Sequence, residues 1–114
     1  MDELSDNLRA RVLEILALVF DPEAQRNYQT AVPHVDVPAE LFNQWEDSFF
    51  PMSDRFRAAF SAAELDALRH FDDILREVSA QTANQLPVLD LFIGTPAWER
   101  LSAGAGAALQ KLKR

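Results

Sequence analysis

A chain of 114 residues without cysteine excludes disulfide staples, thiol nucleophiles and cysteine metal sites, yet is long enough to bury one domain's core unaided. Its 48% apolar and 25% charged residues match soluble globular proteins rather than disordered ones, and three glycines against 17 alanines favour helix over sheet. A net charge of −7 leaves no basic face for phosphate, which argues against nucleic acid as a ligand.

Residues 4–20 predict a helix. Leu4, Leu8, Val12, Ile15, Leu16 and Val19 form one apolar stripe, while Leu18 falls on the opposite side with Asn7, Arg11 and Glu14 and is expected to be exposed. Asp21-Pro22-Glu23 supplies a cap, a first-turn proline and an acid suited to the positive end of a dipole, so a short helix follows over about 22–30. Two prolines within six residues, Pro33 and Pro38, make 31–38 an extended connection. Pro38 opens a third helix with Leu41, Phe42, Trp45 and Phe49 on one face, and Phe50-Pro51 ends it. Ser53 or Asp54 caps a short helix through Phe60.

Ser61-Ala62-Ala63-Glu64 is a capping box, in which the serine oxygen takes one orphan N–H and the glutamate reaches back to the cap. It starts a long helix to about Ala80 with Leu65, Leu68, Phe71, Ile74, Leu75 and Val78 on its buried side. A loop near 81–85 leads into Leu86–Ile93, a short apolar run compatible with helix or strand; Gly94 as a C-cap favours helix. Thr95-Pro96 opens the last helix, to about residue 112, with Trp98, Leu101, Ala105, Ala108, Leu109 and Leu112 on one side. Gly104 and Gly106 each cost ~1 kcal/mol relative to alanine there, so they either loosen the helix or let a neighbour approach closely along an Ala/Gly surface. The expected fold is all-α, a single-domain bundle of five to seven helices framed by those at 4–20, 61–80 and 96–112.

Charge is laid out unevenly. Residues 1–54 hold eleven acids against three arginines, a net of −8, and residues 55–114 hold seven acids against eight bases, a net of +1. From 27 to 54 the chain has 28 residues with no lysine or arginine, but five acids (Asp36, Glu40, Glu46, Asp47, Asp54) and five aromatics (Tyr28, Phe42, Trp45, Phe49, Phe50). The acidic start lacks the basic, then apolar pattern of a secretory signal, and the longest apolar run, Ile15–Phe20, is too short to span a bilayer. A cytoplasmic protein with no membrane contact is therefore expected. The closing Lys111-Leu112-Lys113-Arg114 suits a helix C-terminus.

Enzyme motifs are absent. There is no G-x-S-x-G, G-x-G-x-x-G, P-loop, H-E-x-x-H or EF-hand pattern, and no cofactor or catalytic residue is expected. Asp66, His70, Asp73 and Glu77 share one stripe of the long helix and have the chemistry of a zinc, manganese or iron ligand set. That stripe points away from the apolar face, and Arg69 with Asp73 and Arg76 with Asp72 stand at ion-pair spacing, so a solvated helix face is the stronger reading. His34 and Asp36 share a loop and are a weak acid–base pair.

The aromatic, acidic region 36–60 carries the sharper reading. Most of its rings belong in a core. Phe49 and Phe50 lie 100° apart on a helix, however, so both cannot centre one narrow stripe and one is free to face a partner. Aromatics supply anchor area and carboxylates supply steering. The expectation is a small acidic interaction protein, in an inhibitor, immunity-like or adaptor role, binding a basic protein through Glu40, Trp45, Glu46, Asp47, Phe49, Phe50 and Asp54. The alternatives are a homo-oligomeric scaffold using the Ala/Gly surface, and a metal-dependent enzyme or ligand binder using Asp66, His70 and Asp73.

Overall fold

The computed structural model describes residues 3–81 and 89–112. Seven helices run through them: α1 (Glu3–Phe20), α2 (Pro22–Ala31), α3 (Val37–Glu46), α4 (Asp54–Ala58), α5 (Ala62–Gln81), α6 (Leu89–Ile93) and α7 (Pro96–Leu112). No strand occurs among the described residues, so the all-α reading holds. None of these helices is long and apolar enough to cross a membrane. The loop expected near 81–85, beyond Gln81, and the start of the 86–93 segment lie outside the described residues.

Short polar side chains set the helix starts by taking the orphan backbone donors. Asp21 accepts from the Glu23 amide at 2.9 Å, Asp36 from Ala39 at 3.3 Å, Ser53 from Phe56 at 3.3 Å and Thr95 from Trp98 at 3.1 Å. The capping box closes in both directions: Ser61 Oγ accepts from the Glu64 amide at 3.1 Å, and Glu64 Oε1 accepts from the Ser61 amide at 2.8 Å. Two helices, α3 and α4, stop earlier than expected. α3 ends at Glu46, and Ser48 and Phe49 both donate to the Trp45 carbonyl in a tightened last turn ahead of Pro51. α4 ends at Ala58 rather than Phe60. Gly94 follows α6 without a positive φ, so it is not a left-handed cap.

α7 packs along both α1 and α5, and these three form the frame. α3 lies against α1, while α6 meets α2, α3 and α7. The buried apolar residues make one cluster that takes in Val12, Leu16, Trp45, Phe56, Phe71 and Ala105. Leu18 is half-buried against it, contrary to its expected exposure, because α2 folds back beside the end of α1.

α7 is unbroken at its two glycines. A Cβ at Gly104 would stand 2.9 Å from Ile74 Cδ1, and one at Gly106 would stand 2.8 Å from Phe20 Cε1. Neither has a positive φ, so both mark close approach rather than special backbone geometry. Gly104, Ala105 and Ala108 are buried inside the molecule. The Ala/Gly surface that suggested a self-contact is thus largely covered by α1 and α5.

Two polar clamps tie the frame together. Gln25, fully buried, donates to the Leu18 and Val19 carbonyls at 2.9 and 3.0 Å and accepts from Trp98 Nε1 at 3.2 Å. It caps the end of α1 and links it to α7. Arg9 grips Glu64 with two bonds of 2.9 and 2.6 Å and also donates to the Leu112 carbonyl at 2.9 Å. Its guanidinium lies 5.6 Å from the Phe60 ring centre.

Candidate functional site: the corner between α3 and α4

The residues between α3 and α4 divide sharply into those buried by the frame and those turned out. Trp45 is completely buried; its Nε1 donates to Asp72 Oδ1 at 2.9 Å and its ring meets Phe71 edge-on at 4.8 Å. Phe49 is 8% exposed and stacks on Trp45 at 4.9 Å. These two expected partner-binding residues belong to the core, because the Leu41–Phe42–Trp45–Phe49 stripe is the face α3 turns inward. Neither ring is available to a partner without unfolding the corner.

Phe50 and Met52 are the reverse. They are 43% and 89% exposed. Phe50 rests edge-on against the buried Phe56 at 6.3 Å and leaves its outer face to solvent. Sequence reasoning anticipated the split between Phe49 and Phe50 but left Met52 out of the site. The available signal was its place between Pro51 and a helix-capping serine, where a turn turns side chains outward.

The carboxylates lie around this corner in three environments. Asp47 and Asp54 are exposed, and Asp54 is ion-paired with Arg57 in its own helix. Glu46 lies on the α5 side of α3, in the field of Arg76, whose Nε donates to Asp72 Oδ2 at 2.8 Å. That hydrogen bond, with the charges of Asp72, Glu46 and Asp73, raises the pKa of Arg76 above its already high ordinary value. Glu40 is half-buried one to two turns away, where Gln44 links it, with contacts of 3.5 and 3.3 Å, to the Tyr28 hydroxyl. Arg11 also reaches the Asp47 carbonyl at 3.5 Å. The acids therefore flank α3 on both sides, and arginines of the more basic half offset some of them.

The other constellations do not assemble. Among the described residues no group of three or more His, Asp or Glu side chains is placed to hold a metal ion. Asp66 and His70 line a shallow groove of about 370 Å³ between α5 and α7 with Lys111, but Asp73 does not join them. Arg69 approaches Asp66, at 4.0 Å, rather than the expected Asp73, whereas the Arg76–Asp72 pair forms as expected. Asp36 is engaged as a helix cap, and no hydrogen bond among the described residues joins it to the exposed His34. The crevice bounded by Leu41, Phe42, Phe92 and Trp98 encloses about 10 Å³, too little for an organic ligand.

No protein-family model, no curated protein and no solved structure matches the chain.

Proposed function

We propose that the chain is a small acidic interaction protein that docks on a basic protein through the corner between α3 and α4. Phe50 and Met52 are its apolar contacts, and Glu46, Asp47 and Asp54 are the surrounding charge. The observation that carries this reading is the exposure of two large apolar side chains two residues apart, within a stretch free of lysine and arginine. Core demand does not explain Met52, and carboxylates beside an apolar contact favour a cationic rim on the partner. The net charge of −7 adds long-range attraction to such a surface. Arg55, exposed beside Asp54, opposes it.

The test uses the immobilised parent chain beside Glu46→Gln/Asp47→Asn/Asp54→Asn, Phe50→Ser/Met52→Ser and Arg55→Gln. A basic protein held by the parent at low salt is expected to associate about tenfold more slowly with the amide variant. It should dissociate faster from the double-serine variant and associate faster with the Arg55 variant. Retained proteins that bind every variant at the parent's rates overturn the proposal.

A further inference from the structure

We propose that the cleft between α1 and α3, independently of the docking surface, binds a small zwitterion of the α-amino-acid class, with the ligand's carboxylate on Arg11 and its ammonium on Glu14 and Asp47. Arg11, Glu14 and Ile15 of α1 line one side; Gln44 of α3, with Asp47 and Ser48 just beyond it, lines the other. Both sets share the spacing i, i+3, i+4, which gathers each onto one side of its segment. The cleft measures about 150 Å³, the space of about five waters or of a molecule of about six heavy atoms. Ile15, 3% exposed, gives it an apolar floor that suits a short side chain.

Ser48 is only 5% exposed, yet its hydroxyl has no hydrogen-bond partner among the described residues. A serine at a helix end commonly bonds back to the local backbone, and this one does not. No enclosed side-chain nitrogen or oxygen among those residues is unpaired, so the hydroxyl reaches solvent, and it does so through the cleft it lines. There it can donate to a carboxylate or accept from an ammonium. The charges around it are held apart. Among the described residues Arg11 pairs with neither carboxylate; its Nη2 only reaches the Asp47 backbone carbonyl at 3.5 Å. Opposite charges that share a cleft without touching leave a gap that a molecule carrying both signs bridges. Gln44 directs its amide nitrogen to the Tyr28 hydroxyl and Glu40, which leaves its Oε1 as a further acceptor for an ammonium. A purely cationic ligand would meet Arg11, and a purely anionic one would meet the two carboxylates.

The test titrates the isotope-labelled full chain with L-alanine and follows the backbone amide shifts of Gln44, Asp47 and Ser48. Ethylamine and propionate, which each lack one of alanine's two charges, are titrated in parallel. Saturable shifts with L-alanine are expected at millimolar affinity, in keeping with about six heavy atoms, and binding of ethylamine and of propionate at least about tenfold weaker. Ser48→Ala and Arg11→Gln should each weaken L-alanine about five- to tenfold. Arg11 is exposed, so its replacement leaves the core untouched and a loss of binding there reports on the cleft rather than on folding. No saturable shift with L-alanine up to about 100 mM overturns the proposal. Ethylamine or propionate binding as tightly as L-alanine makes the cleft a site for a single charge and also overturns it. The same follows if Arg11→Gln binds L-alanine as the parent does, because the carboxylate then has another holder.

Discussion

Glu64 does two jobs with one carboxylate. It closes the capping box at Ser61 and neutralises Arg9, while only 3% exposed. The hydrogen bond from Arg9 to Glu64 raises the arginine's pKa; burial acts the other way, and the attraction between the charges adds to the increase. Because the folded-state value is raised, this contribution, while Glu64 stays ionised, is fully present below the arginine's unfolded value and is lost as pH rises to the extreme alkaline range. Glu64→Gln keeps the shape but strands a part-buried guanidinium, so a loss of about 3 kcal/mol is expected. In thermal melts that is a fall in Tm of roughly 10 °C. Arg9→Met/Glu64→Gln should recover part of it, since no charge is then stranded; a Glu64→Gln Tm within about 1 °C of the parent contradicts the account. The capping role was legible in the sequence because it depends on a spacing of three residues. The pairing with Arg9, 55 residues away, was not, since no local period encodes which arginine reaches a buried acid. Met52 escaped notice for a related reason: its exposure depends on how the turn after Phe49 leaves the core.

At the level of elements, α1 was placed closely by its apolar stripe, α2 by its capping aspartate and first-turn proline, and α5 and α7 by a stripe together with such a start signal. The ends of α3 and α4 were less legible. An apolar residue such as Phe49 or Phe60 keeps the stripe going after the backbone has left the helix. The glycines of α7 left two readings open, and contacts from other helices decide between them. Gly106→Ala brings a gain in helix propensity of about 1 kcal/mol and a clash with the Phe20 ring. Phe20 is 49% exposed, so its ring is able to swing outward, at the loss of its contact with α7. The propensity gain should therefore appear in full in a Phe20→Ala background, and be reduced or reversed in the parent. Denaturant unfolding of the four chains of this cycle measures the coupling. Equal effects of Gly106→Ala in both backgrounds would show that the close approach carries no energy.

Over the whole molecule, the division of charge evident along the sequence is softened in space. Arg57 of α4 pairs with Asp54 and Arg76 of α5 sits near Glu46, whereas Arg9 of α1 pairs with Glu64 of α5 and Arg100 of α7 with Glu77 of α5. Apart from Arg9–Glu64 and Arg76–Asp72, whose carboxylate is 14% exposed and also accepts from the buried Trp45, these pairs involve exposed side chains and each contributes little to stability. What holds the fold is the apolar cluster centred on Trp45, Phe56 and Phe71, with Gln25 and Arg9 as polar clamps. Salt should then act in opposite directions on folding and on docking. Screening relieves the self-repulsion of a net charge of −7 and hardly touches the buried pair, so raising sodium chloride from about 20 to 300 mM should leave Tm unchanged or raise it by about 1–3 °C. The same change should slow association with a basic partner at least about tenfold, because steering between exposed charges is screened over that range. A fall in Tm of more than about 5 °C would mean that exposed ion pairs rather than the core support the bundle. Association insensitive to salt would mean that the carboxylates beside Phe50 and Met52 play no part in recognition.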